Sequence, residues 1–378
     1  MKVLFVSNDS ALFDPASAVR ARMRAYAALV TELHVVSRGP VGAQQVQEGA
    51  LYLHPVGGGR LLSFMRLESK TRALITKYAI DLVSAQDPFE HGRVALRAVR
   101  GTGAKLHVQV HTDFLSTWFV RSGGFRSPQV RMPAMNQVRR RIADEVLPHA
   151  HGIRVVSERI RTSLVERYGD RIVDPVVIPI AVPATLPPSV PLPPHSFSFA
   201  LMTVSRLEPE KRIADILYAL ARIHFRYPGV GLFVVGDGSR KHALMELTRK
   251  LGLTEKVVFL GERSDAVGLM QSAQCYIQAS AYEGYGRTLL EAALARLPII
   301  TTDVGIVGEV FKGYRDVLSV PVADPTALSV QISGLVQDHQ ARELLAREAQ
   351  QTARAHIEAV GDVPSRIAKH LSETLGKA

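Results

Sequence analysis

Two glutamates eight positions apart, Glu283 and Glu291, flank a glycine-containing turn, Gly284-Tyr285-Gly286-Arg287, that opens an apolar helix pattern. Where a chain enters a helix, its first backbone N–H groups lack carbonyl partners and the positive end of the helix dipole gathers there. That combination binds phosphate. Tyr285, Gly286 and Arg287, followed by Thr288, are therefore candidate phosphate-binding residues. Glu283, just ahead of the helix, can accept hydrogen bonds from sugar hydroxyls beside that phosphate, while Glu291 lies one turn inside. A nucleotide diphosphate carrying a sugar suits all these parts. Thr288-Leu-Leu-Glu291 also fits a capping box, in which the glutamate turns back to the helix start. That structural role stays open for Glu291, as does a solvated loop carboxylate for Glu283.

A second block, Val204-Ser-Arg-Leu-Glu-Pro-Glu-Lys211, follows the apolar strand Phe199-Ala-Leu-Met-Thr-Val204 and precedes a helix pattern at Ile213, Ile216, Leu217 and Leu220. A strand feeding a helix through a charged turn is a common phosphate-binding geometry. Arg206 offers a planar fork and Lys211 a mobile point charge, which together can neutralise a leaving diphosphate. A third block, Val230-Gly-Leu-Phe-Val-Val, reads as a buried strand ending in the turn Gly236-Asp237-Gly238. Two glycines around an aspartate permit close backbone approach at the carboxyl edge of a parallel sheet. Arg263, just past the strand Val257-Val-Phe-Leu-Gly261, joins the donor-binding candidates.

Taken in order, these blocks resemble the retaining family 4 glycosyltransferases, also called glycosyl transferases group 1. Glu283 to Glu291 corresponds to that family's E-x(7)-E region, and it runs on into a similar Pro298-Ile-Ile-Thr-Thr-Asp-Val-Gly strand and loop. Arg206-Leu to Lys211 resembles its G-R-L-x-x-x-K segment, with Ser205 where glycine is usual. The resemblance implies an α/β, GT-B fold: two Rossmann-like domains with parallel sheets facing a central cleft that holds the active site. It also implies a nucleotide-diphosphate sugar as donor substrate; no cofactor is expected, and no metal is needed because side-chain cations and helix amides supply the positive charge. His111, at the end of the strand Leu106-His-Val-Gln-Val110, matches the family histidine whose imidazole and backbone carbonyl face the donor sugar. Taken alone, it would read as an ordinary polar strand cap.

Two departures stand out. Many members carry paired glycines after the first strand, whereas here no glycine precedes Gly39 and the loop reads Ser7-Asn-Asp-Ser-Ala-Leu-Phe-Asp14-Pro-Ala-Ser17. The family's asparagine-glycine after the interdomain strand is replaced by Ile178-Pro-Ile-Ala-Val. The acceptor side is therefore unusual. Asp14 and Ser17 could hydrogen-bond an acceptor hydroxyl, although turn and helix-cap roles account for them equally.

The 378 residues are too many for one typical core, and 47% are hydrophobic. Short strands at Val3 to Val6, Leu33 to Val36, Leu82 to Ala85, Leu106 to Val110, Ile153 to Val156 and Val176 to Ile178 alternate with helical patterns. Such alternation argues parallel sheets covered on both faces. Residues 1–183 are expected as an acceptor-side domain and 184–196 as a linker, with five prolines between Ala184 and His195. Residues 197–358 are expected as the nucleotide-sugar domain, and 359–378 as a helix crossing back to the first. The single cysteine, Cys275, excludes an internal disulfide framework, and no Cys/His cluster has metal spacing. The amino terminus is too short in apolar character for a signal peptide, and no run approaches a membrane-spanning length. A cytoplasmic protein is expected.

Charge divides unevenly. Residues 1–180 hold 25 Lys plus Arg against 15 Asp plus Glu, while residues 181–378 hold 21 against 20. Basic residues gather at Arg20, Arg22 and Arg24, at Arg60, Arg66, Lys70, Arg72 and Lys77, and at Arg121, Arg126, Arg131 and Arg139 to Arg141. Trp118, Phe119 and Phe125 are interleaved with the last group. Basic and aromatic residues together suit an anionic membrane surface. A merely solvated basic face is the plain alternative; nucleic acid is the generic partner for such charge, but no nucleic-acid motif accompanies it. The expected function is a retaining transfer of sugar from a nucleotide sugar to a lipid-linked or cell-envelope glycan at the cytoplasmic membrane face. The alternatives are a soluble enzyme acting on a small metabolite, or a non-catalytic sugar-nucleotide-binding protein.

Overall fold

The computed structural model describes residues 1–40, 42–57, 60–120 and 134–376. In chain order the first half contains β1 (Lys2–Val6), α1 (Ala18–Ala27), β2 (Glu32–Arg38), β3 (Val46–Glu48), β4 (Leu51–Val56), α2 (Arg60–Tyr78), β5 (Leu82–Ala85) and α3 (Glu90–Val99). It continues with β6 (Lys105–Val110), α4 (Thr117–Val120), α5 (Ala134–Val146), β7 (Gly152–Val155), α6 (Glu158–Tyr168) and β8 (Val176–Val177). The second half contains β9 (Phe199–Val204), α7 (Ile213–Ile223), β10 (Val230–Val235), α8 (Lys241–Lys250), β11 (Val257–Gly261), α9 (Ala266–Met270), β12 (Cys275–Gln278) and α10 (Arg287–Leu294). It closes with β13 (Ile299–Thr302), β14 (Leu318–Val320), α11 (Pro325–Gln337), α12 (His339–Val360) and α13 (Val363–Gly376).

Contacts divide the chain into two compact units. The first takes Met1–Leu115, Ala134–Pro179 and Asp362–Ala378; the second takes Ser116–Pro133 and Ile180–Gly361. Helix α13 thus packs within the first unit, against α1, β6 and β7. Gly361, at φ +62°, ends α12 and lets the chain leave it. The proline-rich stretch forms neither helix nor strand and is bound to the second unit: Val190 N–H donates to the Gly268 carbonyl at 3.0 Å, and Gln271 Nε2 to the Pro187 carbonyl at 2.7 Å.

The first unit's sheet has the order β3-β4-β2-β1-β5-β6-β7-β8. Its pairs are parallel except β3 with β4, which is antiparallel. The expected all-parallel sheet is corrected at this edge. An edge strand needs only one neighbour, so a tight turn at Gly49–Ala50 can supply it without a crossover helix. The second unit's sheet has the order β11-β10-β9-β12-β13-β14, parallel throughout. β10 is buried along its whole length, as a strand covered by helices on both faces must be. Helix α7 lays Ile213, Ile216, Leu217, Leu220 and Ile223 into the core at helical spacing. Each such fully buried side chain contributes about 1.5 to 3 kcal/mol.

Strand order fixes where chemistry belongs. From β9 the chain winds outward through β10 to β11, then returns to lay β12 on the other side of β9. The strand order therefore reverses between β9 and β12, and the carboxyl ends of strands at such a switch point are where open α/β sheets bind ligands.

Candidate functional site

The turn after β9 carries Arg206 and Lys211, and the turn after β12 carries Glu283. Sheet topology therefore brings together residues 72 apart: Lys211 Nζ donates to Glu283 Oε1 at 2.5 Å, both side chains about seven-eighths buried. Ser280 Oγ donates to the same oxygen at 2.8 Å. The two turns are also bonded directly, Ala281 N–H to the Glu210 carbonyl at 2.7 Å. Arg206 stands in the solvent beside this pair of turns, its guanidinium resting on Glu210 at 3.1 Å. A cation in water and a buried ammonium on the same turn present two distances at which negative charge can be met.

The turn after β10 packs beneath these residues. Gly236 has φ +129°, and a Cβ there would lie 1.9 Å from the Ser205 carbonyl oxygen; at Gly238 it would lie 2.6 Å from that of Leu207. Backbone contact of this closeness excludes any other residue. Leu207 N–H donates to the Asp237 carbonyl at 2.8 Å, and Ser239 N–H and Oγ both donate to Glu208. The glycines thus hold the Arg206 turn in place. Asp237 accepts from Lys241 at 2.6 Å and from Gly238 N–H, which hold its carboxyl below the usual range, the lysine contributing most. Arg263 is engaged by Asp265 on its own turn, at 2.7 and 2.6 Å.

The helix entrance is built differently from the capping-box alternative. Gly286, at φ +90°, is the N-cap of α10, so Arg287 is the first helical residue and Glu291 lies one turn in. Glu291 accepts from Arg287 Nε at 2.6 Å rather than from a helix-start amide, and Thr288 Oγ1 donates to Gln278 Oε1 at 3.1 Å. Burial raises the Glu291 carboxyl, with Arg287 opposing. Tyr285 is buried, its hydroxyl paired with His356 Nε2 of α12 at 2.8 Å. Its carbonyl accepts from Ile306 N–H at 3.0 Å, and a Cβ at Gly305 would meet that carbonyl oxygen at 2.4 Å.

Ser280, His356 and Arg212 are site-supporting residues that motif reading missed. Ser280 has a local signal, three positions before Glu283 on one turn. His356 has none, because its partner lies 71 residues away. Arg212 follows Lys211 in the left-handed region at φ 49°, ψ 36°, its guanidinium bound by buried Asp215 at 2.6 and 3.1 Å.

In the first unit, His111 follows β6. Its Nε2 meets Gln109 Oε1 at 3.2 Å, and the same oxygen accepts from Arg154 Nη1 at 2.6 Å. Burial pushes the His111 imidazole down to about 3, Arg154 adding to the effect against Asp87. The ring is therefore neutral near pH 7; with Nε2–H donating to Gln109, Nδ1 carries the lone pair. Asp14 and Ser17 have structural work: Asp14 accepts from Ala16 N–H at 2.9 Å, and Ser17 caps α1 through Arg20 N–H at 3.1 Å.

The basic and aromatic groups need correction. Arg20 is buried rather than a surface charge, since it donates to the Leu12 carbonyl and shares Glu48 with Arg24. Arg139 is paired with Glu90. Phe119 is 3% exposed and packs edge-on against Tyr282, and Trp118 lies under the Arg212 guanidinium. Both belong to the second unit. Arg121, Phe125, Arg126 and Arg131 lie outside the described residues. Among the described residues, no helix is long and apolar enough to cross a membrane.

Residues 197–352 match the family model for glycosyl transferases group 1, and residues 17–186 match that for glycosyltransferase family 4. The chain belongs to the group 1, family 4-type glycosyltransferases. Among curated proteins, a glycogen synthase of Mycobacterium tuberculosis is 32% identical over 154 residues, 40% of this chain; the match spans 37% of that relative's length. Among solved structures, sucrose-phosphate synthase of Thermosynechococcus elongatus superposes with a TM-score of 0.82 at 18% identity, covering 100% of both chains. Anabaena HepE, in complex with UDP and glucose, superposes with a TM-score of 0.74 at 22% identity, covering 99% of this chain and 100% of that one. These likenesses place the fold in the GT-B class.

Proposed function

We propose that the protein transfers a sugar from a nucleotide-diphosphate donor to an acceptor hydroxyl, with retention of configuration. The observation that carries this reading is the Lys211–Glu283 pair at the switch point of the second sheet, flanked by Arg206 and the entrance of α10. Arg206, Lys211 and the amides from Tyr285 to Arg287 would hold the diphosphate and neutralise it as the anomeric C–O bond lengthens. Glu283, braced by Lys211 and Ser280, would orient the sugar hydroxyls. Glu291 would take the ribose, with Arg287 setting its orientation. The acceptor oxygen bonds to the anomeric carbon on the face the diphosphate leaves, and its proton passes to the departing phosphate oxygen. This route needs no fixed carboxylate nucleophile, unlike the paired carboxylates of glycoside hydrolases. His111, neutral at Nδ1, suits a group that accepts a hydrogen bond from a sugar hydroxyl.

The donors to test first are uridine diphosphate sugars, because HepE holds UDP-glucose in one of its structures. A panel of nucleotide sugars, scored by thermal stabilisation and slow donor hydrolysis, should single out one base and one sugar. A panel in which every member leaves the melting curve unmoved sinks the reading.

For the acceptor, the basic excess of residues 1–180 supports a lipid-linked or envelope glycan. A small soluble metabolite is the second reading, favoured by the locking of Arg20, Arg24 and Arg139 onto carboxylates and by the burial of Phe119. Co-sedimentation with anionic and neutral vesicles at low and high salt separates them. Salt-sensitive binding to anionic vesicles supports the lipid-linked acceptor; its absence at low salt supports the metabolite.

A further inference from the structure

The two turns that carry Lys211 and Glu283 share a third support, the four-residue helix α4 (Thr117–Val120). Trp118 lies under Arg212, the residue next to Lys211, with the guanidinium carbon 5.5 Å from the ring centroid, inside cation–π range. Phe119 packs edge-to-face on Tyr282, the residue next to Glu283, with centroids 5.4 Å apart at 70°. One short helix therefore touches the neighbour of each member of the pair.

What Trp118 covers is a demanding conformation. Arg212 occupies the left-handed region, which non-glycine residues keep only when their surroundings hold them there. Two bonds to Asp215 hold its guanidinium from one side, and the indole face lies against it from another. The reversal at Arg212 joins the Pro209–Lys211 turn to α7, and so sets where the Lys211 backbone starts toward Glu283. Phe119 packs on the Tyr282 ring, one residue before Glu283.

We propose that Trp118 and Phe119 are positioning residues for the donor diphosphate site: α4 braces the turns after β9 and β12 and sets the separation of Lys211 from Glu283. This inference rests on the donor reading above. The aromatic pair acts through Arg212 and Tyr282 rather than by touching the diphosphate. Displacing a binding constellation by a fraction of an ångström to an ångström costs up to about 10²-fold.

Trp118 is the chain's only tryptophan, so its emission reports the brace without labelling. The full chain is titrated with UDP, GDP and ADP, each followed by calorimetry and by tryptophan emission. For whichever binds, emission should change saturably with the calorimetric midpoint. Trp118→Ala should weaken that nucleotide roughly tenfold to 10²-fold, and Trp118→Phe, which keeps an aromatic face for Arg212, should restore most of the loss. Phe119→Leu provides a second variant that keeps apolar bulk if Trp118→Ala does not fold; it should weaken binding in the same direction. Native affinity in both Trp118→Ala and Phe119→Leu, or emission that ignores a nucleotide that calorimetry shows bound, overturns the brace and leaves the donor reading intact. Failure of all three nucleotides to bind the native chain overturns both.

Discussion

In the second unit the charged side chains stand on turns beyond the strand ends, whereas in the first unit the polar ones lie within the sheet. Lys211, Glu283, Arg206 and Asp237 all follow a strand, and the strands beneath them are mostly apolar, with Thr203 and Gln278 as buried polar residues. In the first unit His34 of β2 pairs with His54 of β4 at 3.0 Å and stacks on Tyr52. Ser84, His107, Gln109 and Arg154 continue the polar content across β5, β6 and β7. The consequence is a division of sensitivity. Charges on turns can exchange partners with a ligand while the sheet stays paired, but a polar group inside the sheet is tied to folding, since its partners exist only in the folded state.

The largest expected effect tests the ligand side. Glu283→Gln keeps an acceptor for Lys211 and Ser280 but removes the charge that orients the sugar. Turnover should fall by about 10²-fold or more while the melting temperature stays close to the parent value. Native turnover in a stopped assay would remove Glu283 from catalysis. Next, Lys211→Ala should weaken nucleoside diphosphate binding by about 1.5 to 3 kcal/mol, the range for charge-assisted hydrogen bonds. Arg206→Ala should act in the same direction. Calorimetric affinities unchanged in both variants would erase the contrast between a charged turn and an inert sheet.

Acid tests the other side of the comparison. Burial holds His54 and His111 down at about 3, and His107 well below its ordinary value. The folded state thus refuses protons that the unfolded chain accepts near pH 6.5. Stability from these neutral rings is complete above about pH 6.5 and is lost as pH falls from there toward 3. Glu48, held at about 2 by Arg24 and then Arg20, adds a second loss below about pH 4.5. In urea titrations at stepped pH, the first unit's transition should move to lower urea before the second unit's does. Equal movement of both would end the distinction.

The smallest effect lies at the helix entrance. Tyr285→Phe removes one buried hydrogen bond, leaving His356 Nε2 without the hydroxyl, and should cost about 1 kcal/mol of second-unit stability. A shift of the transition by several times that amount would mean that His356 does more than hold Tyr285.

Alternation of apolar runs with helical patterns was enough to place β5, β9 and β11 and the α/β class, because parallel strands buried on both faces are legible as continuous hydrocarbon. It missed β3 and β4, where His54, Pro55 and a half-exposed edge dilute the pattern. Arg206, Lys211, Glu283 and Glu291 are legible individually, each sitting beside a strand end or helix start. Their partners are less so. Nothing near Glu291 says that Arg287 rather than the helix start would hold it, since both arrangements lie within one helical turn.

Trp118 and Phe119 show where local reading stops. Beside arginines in sequence they resemble a membrane-facing surface, yet the structure turns them onto Arg212 and Tyr282, residues about 90 and 160 positions later. By itself the sequence determined the α/β class, the strands that read as continuous hydrocarbon and which turns carry charge, because propensity, periodicity and capping act over a few residues. Tertiary structure alone decided that Lys211 meets Glu283, that Tyr285 is held by His356, and that Arg20 is buried. Those outcomes depend on strand order and on contacts between segments distant along the chain, and no local pattern encodes a distance.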